Sequence, residues 1–117
     1  MPVRSLRSPV LRWPDRETVH AAVVRWAEAA TPGRGDVLRI GYGGSYARGN
    51  WGVGSDVDLV IVLRQTARPP SRRALDWDAT DLPVPADVLV YTAAEWSSLE
   101  AEGHDLTRHT VWVWSRP

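Results

Sequence analysis

The chain has 117 residues, 44% of them apolar and 24% charged, with a formal net charge of zero and no cysteine. That length and balance describe one globular domain of soluble type, and the missing cysteine excludes disulfides, thiolate zinc sites and a cysteine nucleophile. No apolar run nears the ~20 residues of a membrane span, and a neutral chain gives no strong signal for nucleic acid.

Residues 1–13 read as an N-terminal arm that carries Arg4, Arg7 and Arg12 but no apolar core of a secretory signal, so a cytoplasmic location is expected. Pro14 and Asp15 then open a helix, proline suiting the start and aspartate the cap. Val19, Val23, Trp26 and Ala30 recur along it at helical spacing, and Thr31-Pro32-Gly33 stops it. Val37 to Tyr42 reads as a short strand whose exit, Gly43-Gly44, is loosened by glycine. Ser45 to Gly49 suits one helical turn. Asp56 to Leu63 is the strongest strand pattern in the chain. Beyond its aspartates it is apolar on both faces, Val57, Leu59, Ile61 and Leu63 on one and Val60 and Val62 on the other, which marks a central strand covered on both sides.

After a loop from Arg64, Ser71 is expected to cap a short helix reaching Trp77 or Asp78. Pro83 and Pro85 bracket a further loop, and Ala86 to Tyr91 is a β-branched strand. Thr92 followed by Glu95 forms a capping box for a helix that ends near Gly103. A helical turn from Asp105 and a last strand, Thr110 to Trp114, complete the chain. Helices alternating with strands imply a sheet covered by helices, an α/β (α+β) domain spanning residues 1–117.

Two aspartates at i and i+2 of one strand point to the same face, so Asp56 and Asp58 are adjacent carboxylates at the edge of a core. Such a pair is unfavourable unless a cation neutralises it, and magnesium is the natural partner of carboxylates and substrate phosphates. Solvated strand-end aspartates are the plainer alternative. Upstream, Gly44 and Ser45 let backbone amides and a hydroxyl approach a phosphate at the start of a helical turn, and Arg48 lies one turn further on. All 14 basic residues are arginine, so no lysine clamp is available. A two-metal site needs a third carboxylate. Asp87 fits, because it begins its strand as Asp56 does. The two strand starts meet only if the strands run parallel, and the 22 residues from Arg64 to Pro85 suffice for the crossover. Asp76, Asp78 and Asp81 fall in helix and loop and are expected on the solvated surface.

Gly44-Ser45-Tyr46-Ala47-Arg48-Gly49 followed by Ser55-Asp56-Val57-Asp58-Leu59 resembles the signature of the polymerase-beta-like nucleotidyltransferase superfamily, with its Gly-Ser, ten residues, Asp-x-Asp spacing intact. The Ala-Arg-Gly element and the length resemble its minimal (MNT) branch, and the resemblance covers roughly Val37 to Tyr91. It implies a mixed β-sheet of about four strands with helices packed on it. It also implies that Gly44 and Ser45 hold the β- and γ-phosphates of a nucleoside triphosphate, with ATP the expected substrate although the sequence itself does not choose among nucleotides. Asp56 and Asp58 would bind two magnesium ions, and Asp87 would bind the catalytic one and help deprotonate the acceptor. Arg48 matches the motif's arginine, as a phosphate contact or a brace for the loop. Gly43 departs from the pattern, since many relatives carry an aromatic residue there. Relatives of this size commonly accompany a HEPN-domain protein. The implied acceptor is a hydroxyl on that partner, a ribonuclease toxin neutralised by an antitoxin, or else a small molecule of aminoglycoside type held by a HEPN subunit. A partner-binding module without catalysis is a further alternative, and homo-oligomers are compatible with the pattern.

Several other residues invite a role. Trp112 and Trp114 fall on one face of the last strand and suit core or subunit contact. Trp51 is a candidate for touching nucleotide or partner. His20, His104 and His109 lack metal-ligand spacing and read as helix-surface residues. Arg68, Arg72 and Arg73 form a basic cluster, solvated or facing RNA or an acidic partner.

Overall fold

In the computed structural model, which describes residues 13–117, helix α1 (Arg16–Ala30) starts where its sequence directs. Asp15 takes the N-cap, and its carboxylate accepts a 2.8 Å hydrogen bond from the Thr18 amide. The helix buries Val19, Ala22, Val23 and Ala27, with Trp26 and Ala30 bordering that stripe. Most of the expected N-terminal arm, residues 1–12, lies outside the described residues.

Strand β1 (Val37–Gly43) leads into the one-turn helix α2 (Gly44–Arg48), and strand β2 (Val57–Leu63) follows. A 3-10 helix (Pro70–Asp76) sits within the crossover to β3 (Ala86–Thr92). Helices α3 (Ala93–Ala101) and α4 (Asp105–His109) precede the last strand, β4 (Val111–Ser115). The four strands form one sheet in the order β3-β2-β1-β4, with β2 and β3 parallel and the other neighbours antiparallel. This is the mixed, helix-covered α+β sheet expected from the sequence.

Strand β2 is central, and its two apolar faces enter different cores. Val57, Leu59, Ile61 and Leu63 pack into the large cluster under α1, whereas Val60 and Val62 join Trp96 of α3 in a smaller one. The capping box that begins α3 is formed as read: Thr92 Oγ1 accepts from the Glu95 amide at 3.2 Å, and Glu95 Oε1 accepts from the Thr92 amide at 2.8 Å.

Three expectations are corrected. The segment after Arg64 forms a 3-10 helix, and Ser71 does not cap it; Pro69 stands at the N-cap with no side-chain hydrogen bond. Pro69 and Pro70 lack amide donors, and the tighter i+3 pattern appears in the Arg72 amide bonded to Pro69 O and the Trp77 amide bonded to Ala74 O. Secondly, Trp112 and Trp114 do not share a face. The β1–β4 register pairs Ile40 with Trp114 but Gly41 with Trp112, so Val113 is an extra, bulged residue and the alternation slips by one. Trp112 therefore joins the cluster around Trp96, and Trp114 the one under α1. Gly41 makes the close pairing feasible, because a Cβ there would lie 2.9 Å from the Trp112 ring. Thirdly, the arginine cluster is not one solvated patch. Arg68 pairs with Asp76, but Arg73 is buried, donating to Arg68 O, Val90 O and both carboxylate oxygens of Glu95. It thereby ties the crossover to β3 and to the start of α3.

Candidate functional site

The sheet register assembles the site. Asp58 on β2 pairs with Gly43 on its antiparallel side and with Asp87 of β3 on its parallel side. The glycine loop, the central aspartate and the third aspartate, far apart in sequence, are thus brought side by side by three adjacent strands. Asp56 stands one residue before β2. A turn closes just ahead of it, with the Ser55 amide bonded to Gly52 O at 3.0 Å, the Gly52 amide bonded to Ser55 Oγ at 2.8 Å and Gly54 at φ 87°. The Val57 amide then bonds Pro85 O at 2.9 Å and starts the β2–β3 ladder. Trp13 Nε1 donates to Ser55 O at 3.0 Å, and Tyr46 Oη donates to Pro14 O at 2.8 Å, so the entry to α1 braces both halves of the motif.

One carboxylate oxygen from each of Asp56, Asp58 and Asp87 lies within 4.8 Å of the others. Asp56 and Asp87 are exposed and Asp58 is half-buried. Burial pushes the Asp58 carboxyl above its ordinary range, the charges of Asp56 and Asp87 push it further, and Arg48 opposes them in part. Among the described residues, no ion pair is made by any of the three. A set of three converging carboxylates in this state is a hard oxygen donor set, and it fits a divalent cation. Asp76 and Asp78 are surface groups, as expected, Asp76 paired with Arg68 and Asp78 accepting from Thr80. Asp81 is exposed.

Gly44 forms the other wall. Its φ is 74°, and a Cβ on it would lie 2.6 Å from Asp58 Oδ2, so no larger residue fits without displacing the aspartate. The helix α2 that follows has no side-chain cap, and Gly49 at φ 85° ends it. Ser45 is partly accessible on its first turn. Arg48, in the last turn, approaches Asp105 of α4 at 3.9 Å. Gly44, Arg48 and Asp58 open onto a pocket of about 280 Å³ whose far side carries Tyr91, His104 and His109. A larger cavity of about 470 Å³ lies among Trp77, Leu82 and Val84, and none of the three clustered aspartates lines it. Its Asp78 is already engaged by the Thr80 amide and hydroxyl, so the smaller pocket is the chemically equipped one.

The sequence pattern marks a helical turn from Asp105 but not its place on the wall of this pocket. The only local signal is Gly103, which at φ 69° ends α3 and turns the chain so that His104 caps the next helix over the site. His104 Nδ1 accepts from the Leu106 amide, and His109 Nε2 lies 3.4 Å from Asp105. His20, by contrast, is partly buried on α1, its Nδ1 2.9 Å from the Tyr42 hydroxyl. Trp51 stacks on Tyr46 with ring centroids 5.7 Å apart and planes 6° apart, which commits one of its faces to the core.

A family model described as a nucleotidyltransferase domain matches residues 30–104. The fold is shared with a crystal structure of a candidate nucleotidyltransferase from Sulfolobus solfataricus, at 17% sequence identity and a TM-score of 0.66, covering 86% of this chain and 84% of that one. No curated protein sequence matches the chain.

Proposed function

We propose, from the premise that the chain belongs to the nucleotidyltransferase-domain family, that it transfers a nucleoside monophosphate, AMP from ATP, to an acceptor hydroxyl. The observation that carries this reading is the convergence of Asp56, Asp58 and Asp87 within 4.8 Å beside Gly44. The acceptor oxygen attacks the α-phosphorus, the bond from that phosphorus to the bridging oxygen breaks, and pyrophosphate leaves. Asp87, exposed at the strand end, takes up the acceptor proton. Gly44 and Ser45 present the start of α2 to the β- and γ-phosphates, and Arg48 adds positive charge nearby. Asp56, Asp58 and Asp87 would hold magnesium, two ions in the full site, which supplies charge neutralisation for the attacking and leaving oxygens. Positioning and electrostatics account for most of the catalysis in such transfers.

For the acceptor, the resemblance of the Ala47-Arg48-Gly49 element to the minimal branch favours a hydroxyl on a HEPN-domain partner, which would make the chain a cytoplasmic antitoxin. No helix among the described residues is long and apolar enough to cross a membrane. The test is incubation of the chain and its co-purified partner with magnesium and ATP labelled at the α-phosphate. Label on the partner, absent with Asp56→Ala/Asp58→Ala, is the expected result. Unlabelled partner, with its binding intact, would remove the protein-acceptor reading.

A further inference from the structure

Arg48 and His109 belong to separate short helices, α2 and α4, yet both line the pocket that Asp58 enters. Between them stands Asp105, with its Oδ2 3.9 Å from Arg48 Nη1 and its Oδ1 3.4 Å from His109 Nε2. One carboxylate thus bridges two side chains that share little other restraint: Arg48 is 40% exposed and His109 43% exposed, and neither makes another ion pair among the described residues. A long side chain this exposed samples many rotamers in isolation, and each must be given up when a ligand is gripped. Leu106, next to Asp105, fixes the helix: a Cβ on Gly43 would meet its side chain at 2.6 Å, so α4 is seated directly on the glycine loop. The backbone that bears Asp105 is therefore seated on the site, while its carboxylate, 63% exposed, is placed by these two contacts alone among the described residues.

We propose that Asp105 is a positioning residue for the phosphate-bearing part of the substrate, prearranging Arg48 and His109 on the wall of the pocket that faces Asp58. The inference rests on the nucleotidyltransferase reading and deepens it, since it adds to that site a residue outside the Gly-Ser and Asp-x-Asp elements. It carries a sign that a simple charge count does not. A carboxylate that merely neutralised Arg48 would weaken phosphate binding, and its removal would tighten the complex. A carboxylate that orients Arg48 and His109 strengthens binding, and its removal loosens it.

The test measures binding of magnesium ATP and of magnesium tripolyphosphate to the full chain by calorimetry, for the wild type, Asp105→Asn, Arg48→Ala/His109→Ala and the triple variant. Asp105→Asn is expected to weaken both ligands about two- to fivefold, the scale of exposed ion pairs. It should leave the melting temperature unchanged and have no further effect in the Arg48→Ala/His109→Ala background. Unchanged or tighter binding by Asp105→Asn, or an equal loss in that background, would overturn the proposal while leaving the nucleotidyltransferase reading in place. Wild-type protein that binds neither ligand would overturn both.

Discussion

The two faces of strand β2 divide the labour of the molecule. On one, Val57, Leu59, Ile61 and Leu63 are sealed under the fifteen-residue helix α1 in a continuous apolar cluster. On the other, among the described residues, Val60 and Val62 meet only Trp96 as a fully enclosed partner, and the same face carries Asp58 at its open end, where two short helices flank a pocket. One strand therefore supplies both the hydrophobic anchor and the electrostatic strain. The contrast shows how a domain this small keeps a repulsive carboxylate cluster: the cost falls on one face while burial on the other holds the strand in register.

Substitutions that treat the faces differently sharpen that contrast. The largest stability loss should come from the sealed side, where Leu59→Ala empties a fully buried position and is expected to cost about 3–4 kcal/mol, read as a lowered denaturation midpoint. On the open side, Asp58→Asn should leave the fold intact but cut nucleotidyl transfer at least about a hundredfold, measured as turnover with saturating ATP. A drop in stability as large as that of Leu59→Ala would break the division between the faces.

A smaller effect is expected at the rim of the second face. The Arg73 guanidinium, and then the Thr92 amide, hold the Glu95 carboxyl below its ordinary value of 4.5. A lowered carboxylate contributes stability that is present above that value and lost as pH falls through its folded value. Glu95→Gln should therefore cost about 1 kcal/mol at neutral pH, a modest figure because Glu95 is 40% exposed. The gap from wild type should close in acid, as followed by melting across pH. A gap that persisted at low pH would assign the loss to packing rather than to charge.

Much of this arrangement is legible in the residues. The double-sided apolar run of β2 announces a central strand, Thr92 and Glu95 announce the start of α3, and the need for Asp87 to meet Asp58 points to the parallel pairing that the register shows. The rest depends on contacts that local pattern does not encode. The bulge at Val113 puts Trp112 and Trp114 on opposite faces, and alternation in the sequence gives no warning of it because valine and tryptophan suit either side. Arg73 reads as one of three surface arginines until Glu95, 22 residues away, is folded against it. Asp105 and His109 enter the pocket only because α4 docks on Gly43, a long-range fit set by the absence of a side chain.

The central claim is that the three aspartates are held in mutual repulsion for a cation to relieve. Burial and the charges of Asp56 and Asp87 raise the Asp58 carboxyl, so its contribution to stability is favourable in acid and is lost as pH rises through its folded value. The most direct measurement is the melting temperature at neutral pH of wild type and Asp58→Asn, each with chelator and with magnesium. The account predicts that Asp58→Asn melts above wild type in chelator, and that magnesium raises the wild type while leaving the variant nearly unmoved. Wild type indifferent to magnesium, with Asp58→Asn melting no higher in chelator, would contradict it.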